Sequence, residues 1–191
     1  MHELISTSIL FVWLVKDAKI YDFATVATFT LCLVLLHQRK LTWFYGGYFL
    51  ACLNRETAFL LTIFFAVHFF RRMEAKQYTT SLIIQGLIFL SVRLTMLIAF
   101  RHNPGVNAQF NFFKNFQEFA GSPMGTLMVI IVFGVVSWLV IRRWKMAPAF
   151  LKDVVLTFAP LLFVLWLLFG RAFELRVFLE LFPVVYVMVT R

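Results

Sequence analysis

LTWFYGGYFLACLNRETAFLLTIFFAVHFF, residues 41–70, carries Arg55 and Glu56 at its centre, in the triplet Asn54-Arg55-Glu56, and no other charged side chain. An ionised group at bilayer depth costs about 3 kcal/mol on insertion scales, and more in simulations, unless it is paired or wetted. Either this stretch is one rod that takes the triplet through hydrocarbon, or it is two short helices, 41–53 and 57–70, that double back at the triplet. The charges on either side decide between the two.

With a continuous rod, Arg39 and Lys40 fall on the opposite side from Arg71, Arg72 and Lys76, and the basic residues do not separate. With a hairpin, those residues share one side with Arg142, Arg143, Lys145 and Lys152. Lys16, Lys19, Arg101, Lys114, Arg171 and Arg176 remain on the other. Cytoplasmic loops carry the excess of Lys and Arg, so the hairpin is favoured, with its basic loops in the cytoplasm. Helices of 13 and 14 residues reach only about 20 Å. The turn is therefore expected below the outer surface, where non-helical backbone is tolerated only against protein or a watery cavity. A recess floored by Asn54, Arg55 and Glu56 follows.

Working outward, 62% of the residues are hydrophobic, 14% are charged and 25 are phenylalanine, more apolar surface than a soluble domain of 191 residues can bury. Further apolar runs cover 23–37, 78–100, 124–141, 154–170 and 177–189, each approaching the ~20 residues that cross hydrocarbon. They show no period-2 alternation, so the expected fold is all-α: a polytopic transmembrane helix bundle, one domain over 1–191, with the short-helix hairpin inside it. The apolar stretch within Met1–Val15 lacks the flanks of a signal peptide and is short for a span, which leaves its crossing open. The net charge of +9 sits in short loops, which points to anionic lipid headgroups and not to nucleic acid. Cys32 and Cys52 lack metal-ligand spacing and read as small buried hydrophobes. No Walker A, dinucleotide, Cys/His or G-x-S-x-G pattern occurs, so neither metal nor cofactor is expected.

Three other polar places join the same face on this threading: Asp22 at the start of the first full span, the loop 101–123, and the segment 171–180. In the last, Arg176 and Glu180 stand four apart, as on one helical face, with Glu174 upstream and Pro183 expected to kink the helix nearby. Glu180 requires a partner at that depth, for which Arg176 and Arg55 are the candidates. Arg93 reads either as an arginine snorkelling to the interface or as an anion ligand in the recess. His37 and His68 read as interfacial hydrogen bonders. In the loop, Phe112, Phe116 and Phe119 recur at helical spacing, so a short amphipathic helix in the interface plane is expected.

The motifs Tyr21-Asp22-Phe23, Leu53-Asn54-Arg55-Glu56-Thr57-Ala58 and Glu174-Leu-Arg176-Val-Phe-Leu-Glu180-Leu-Phe-Pro183, in that order, resemble bacterial multi-pass proteins related to the GT-C glycosyltransferases. The resemblance covers roughly Tyr21 to the C-terminus. It implies a plasma-membrane protein that takes a polyprenyl-phosphate-linked sugar in an extracytoplasmic cavity. Asn54, Arg55, Arg93, Glu174, Arg176 and Glu180 would be its substrate-binding residues, the arginines neutralising the lipid-linked phosphate. A carboxylate, Asp22 or Glu56, would serve as general base in glycosyl transfer. One departure stands out: such enzymes carry their catalytic aspartate in a first outer loop after a first span, and the region before Tyr21 has no room for those helices. The chain thus reads as the C-terminal portion of a GT-C-like protein, or as a shortened relative that kept the scaffold and lost turnover. Two other classes fit the same residues: a non-catalytic subunit of a larger membrane complex with buried charges as interhelical pins, and a broken-helix transporter. The absence of an inverted repeat counts against the transporter.

Overall fold

A computed structural model describes residues 20–102 and 109–190; Met1–Val15, Lys16, Asp17, Lys19 and part of the loop 101–123 lie outside them. The structure is 83% helical, with no strand among the described residues, as the apolar runs require. Contacts gather the chain into two compact units, one holding residues 20–102 and the other 109–190 of the described residues.

The first unit contains α1 (Ile20–His37), α2 (Leu41–Asn54), a 3-10 turn (Glu56–Ala58), α3 (Phe59–Phe69) and α4 (Ala75–Ala99). The stretch 41–70 does double back. Phe44 stacks on Phe65 with ring centroids 6.4 Å apart, and Thr62 donates its hydroxyl proton to the Tyr48 oxygen at 2.8 Å, the register of an antiparallel pair. The break falls at Arg55, whose backbone is extended (φ −151°, ψ 145°). Neither Gly nor Pro is needed there, because Asn and Thr side chains compete for backbone partners and weaken a helix locally. Tyr45 donates to Ser81 Oγ at 2.9 Å near one end of α2, while Arg93 reaches the Cys52 carbonyl near the other, so α4 runs alongside α2 in the same direction. From Arg93, α4 continues six residues to Ala99. At 1.5 Å per residue the elbow stops about 9 Å short of the α4 end.

The α1–α2 contact depends on Gly47. A Cβ built there would lie 3.2 Å from Cys32 Sγ and within van der Waals reach of Leu35 and Leu31, so only hydrogen lets the helices approach this closely. Two turns close with an arginine in left-handed backbone, Arg39 (φ 56°) after α1 and Arg71 (φ 60°) after α3. A side chain there costs about 1–2 kcal/mol that glycine avoids.

The second unit contains α5 (Phe112–Gly121), α6 (Pro123–Arg143), α7 (Ala149–Phe169), a 3-10 turn (Leu175–Glu180) and α8 (Phe182–Thr190). Trp166 is its hub. The ring lies 5.6–6.0 Å, centroid to centroid, from Phe119, Phe133, Phe163 and Phe178, and its Nε1 donates to the Arg171 carbonyl at 3.0 Å. Gly170 ends α7 where a Cβ would meet the Trp166 carbonyl oxygen at 2.7 Å. The run 177–189, expected as one helix, is instead a 3-10 turn followed by α8. Pro183 produces no kink: it sits in the first turn of α8, where an amide proton has no intrahelical acceptor to lose.

Three helices, α4, α6 and α7, are long and apolar enough to cross a membrane, and the shorter apolar helices of the hairpin pack beside α4. A 21-residue helix is about 31 Å long, the thickness of a hydrocarbon core. The protein is membrane-embedded.

Gly47→Leu is expected to separate α1 from α2 and lower the midpoint of thermal unfolding in detergent by several degrees. Gly46→Leu, whose Cβ meets nothing within 4 Å, is expected to leave it unchanged. Circular dichroism melts of the purified pair check this.

Candidate functional site: a charged elbow

The elbow brings together five of the eight residues singled out from sequence. Asn54 donates its amide to Thr25 Oγ1 at 2.7 Å, tying the end of α2 to α1. Arg55 approaches Asp22 of α1 at 3.8 Å; the carboxylate is 1% exposed and the guanidinium 19%. Arg93 of α4 donates to Glu56 Oε1 at 3.1 Å and, more weakly, to the Cys52 carbonyl at 3.4 Å, and its guanidinium lies 5.5 Å from the centre of the Phe89 ring. Two arginines and two carboxylates from three elements thus meet where the backbone leaves the helix.

The two ion pairs differ. Two opposite charges 4 Å apart attract by about 4 kcal/mol at an effective dielectric of 20, against a desolvation cost of several kcal/mol per buried ion. For Asp22–Arg55 these terms nearly cancel, so the pair fixes where α1 and α2 meet more than it stabilises them. Glu56 is 77% exposed, and its hold on Arg93 is a surface bond. Such pairs contribute 1 kcal/mol or less. Arg93 Nε, by contrast, is buried and has no hydrogen-bond partner. Arg93 therefore holds one readily displaced carboxylate and one unspent donor.

The Arg93 side chain is directed at the triplet, onto Glu56. Glu174, Arg176 and Glu180 belong to the second unit. There Arg176 Nε contacts the Glu174 carboxylate two residues before it. The expected four-residue face for Arg176 and Glu180 is not formed, because a 3-10 helix eclipses residues three apart. Glu180 is buried, 1% exposed. Leu175 and Phe178 of the same turn line an apolar cavity of about 480 Å³ between α6 and α7, closed by α8, whose polar lining is Ser137 and Tyr186. His68 accepts from Arg72 at 2.9 Å at the end of α3, as an interfacial hydrogen bonder would. No cluster of three or more metal-ligating side chains occurs among the described residues.

Sequence reasoning missed the Asn54–Thr25 bond and the Arg93–Glu56 pair. A polar residue at 25 and an arginine two turns from a helix end were the available signals, but nothing local links positions 29 or 37 residues apart.

No protein-family model, curated protein or solved structure matches the chain. The elbow is thus read from its own chemistry. Asp22→Asn is expected to cost about 3 kcal/mol, since it strands a partly buried guanidinium. The double change Asp22→Leu with Arg55→Met is expected to cost less than the two single changes summed. Denaturant unfolding of the four proteins in micelles measures that difference.

Proposed function

We propose that the elbow binds the phosphate of a polyprenyl-phosphate-linked sugar, the ligand that the GT-C resemblance implies. The observation that carries this reading is Arg93, whose Nη1 is held by an exposed, displaceable Glu56. An incoming phosphate replaces Glu56 on Nη1 of the guanidinium, where it accepts a charge-assisted hydrogen bond. Arg55 adds positive potential from the other side of the turn, and Asp22 and Asn54 hold that turn in place. Displaced, Glu56 is the carboxylate open to an acceptor hydroxyl and fits the general base of a glycosyl transfer. Asp22, enclosed beside Arg55, is a positioning group. On this reading the protein lies in a bacterial plasma membrane, the elbow faces outward, and the basic turns at Arg39–Lys40 and Arg71–Arg72 face the cytoplasm.

A second reading has an observation of its own. Asp22 with Arg55 ties α1 to the elbow, and Glu56 with Arg93 ties the elbow to α4. Pins between helices of an accessory subunit need no more than that.

Reconstitution in lipid nanodiscs doped with a long-chain polyprenyl phosphate or with the matching polyprenol separates the two. Phosphate binding predicts preference for the phosphorylated lipid, a loss of about ten- to hundredfold for Arg93→Ala, and tighter binding for Glu56→Gln, which frees the arginine. Equal retention of both lipids, or an unchanged Arg93→Ala, overturns it. Loss of stability in both variants without any phosphate preference supports the pins.

A further inference from the structure

The helix α5 presents its side chains in three bands. Inward, Asn115 is buried and donates its amide to the Leu167 and Gly170 carbonyls, both at 3.1 Å. One turn earlier, Asn111 donates its backbone N–H to Leu168 O at 2.8 Å and its side-chain amide to Phe169 O at 3.0 Å. Four consecutive carbonyls at the end of α7, which have no donor within their own helix, are thereby satisfied. Phe119 points the same way, onto Trp166 and Phe173.

The exposed arc divides again. At about 100° per residue, Phe116, Ala120 and Phe113 occupy one edge of it, and Gln117, Lys114 and the partly exposed Glu118 the other. Phe113 is 73% exposed and Phe116 56%, and Phe110, just before the helix, is 59% exposed. The residues pointing outward are thus Phe110, Phe113 and Phe116, where periodicity alone grouped Phe112, Phe116 and Phe119. Phe110 packs 6.1 Å from Phe169, which is itself 47% exposed at the end of the membrane-crossing α7. The aromatic edge of α5 therefore continues the apolar surface of that helix.

A helix with a lipid-compatible aromatic edge and a polar, charged edge, fastened to the carbonyl end of a transmembrane segment, has one environment that satisfies both edges. We propose that α5 lies flat in the headgroup region of the bilayer that α7 crosses. Phe110, Phe113 and Phe116 enter the acyl boundary, and Lys114 meets lipid phosphate. Asn111 and Asn115 set its depth, because the carbonyls they cap mark where α7 leaves the hydrocarbon. The aromatic side chains then act as a float that fixes the vertical position of the second unit, independently of any ligand at the elbow.

Site-directed spin labelling tests this on the full chain in phosphatidylcholine vesicles containing phosphatidylglycerol. Single cysteines replace Phe113, Phe116, Lys114 or Gln117, while Cys32 and Cys52, both buried, stay unlabelled. Labels at 113 and 116 are expected to collide with oxygen more than with a water-soluble nickel chelate, at a depth just below the phosphates. Those at 114 and 117 are expected to show the reverse. Chelate access at all four positions would place the helix in water and overturn the proposal. Protection of 113 and 116 from both reagents would mean that protein covers the face, and would overturn it equally.

Discussion

An ionised group in a medium that cannot solvate it must find its counter-charge in the protein, and this constraint organises the first unit. Arg55 stands where α2 ends, and the carboxylate beside it belongs to α1. Glu56, one residue on, takes its counter-charge from α4. The enclosed pair holds α1 at the height of the elbow, and the exposed, weaker pair touches α4 at the same height. The apolar packing below, Phe44 on Phe65 and Gly47 against Cys32, completes an arrangement whose register is already determined. Hydrophobic burial alone does not set that register, since lipid is as apolar as leucine.

The hairpin was legible because its signal is a violation. Two charges in thirty otherwise uncharged residues are too costly to ignore, and the basic residues on both flanks agree with a reversal. The ends of the three long helices were legible as well, to within about five residues, whereas the run 177–189 was not one helix. Less accessible was the 3-10 turn at Leu175–Glu180, since over six residues a spacing of four between Arg176 and Glu180 suits an α-helix and does not exclude a tighter coil. The roles of Asn111 and Asn115 were hidden as well. A capping asparagine is usually sought next to its helix, and these lie more than fifty residues before the carbonyls they cap. Polar residues in an aromatic loop suggest solvent until the acceptors are known.

Five of the eight candidate residues were legible as a group but not in their pairing, while Glu174, Arg176 and Glu180 lie in the other unit. Asp22, Asn54, Arg55, Glu56 and Arg93 all converge, yet which arginine is held firmly and which loosely depends on exposure, and exposure belongs to tertiary structure. Burial of Asp22 makes it a scaffold charge, while exposure of Glu56 makes the neighbouring pair exchangeable. Similar residue types thus take opposite parts according to their depth. The distinction separates a pin from a site: a pin needs both partners enclosed, whereas a site needs one partner that water, or a competing anion, can replace.

Arg39 and Arg71 bear on the same question from the far end of the hairpin. Left-handed backbone favours glycine, and both turns hold an arginine instead. The cost is about 1–2 kcal/mol at each; both side chains are exposed, and Arg71 gains only a place over the neighbouring Phe70 ring, 5.3 Å from its centre. What an arginine supplies there is positive charge, next to Lys40 and Arg72. A hairpin weighted in this way resists inversion, because carrying that end across hydrocarbon would desolvate four cations together. On the proposed threading the basic turns and the elbow do complementary work: the turns hold one end of the hairpin at a charged surface, and the length of its helices determines how deep the ionic elbow lies.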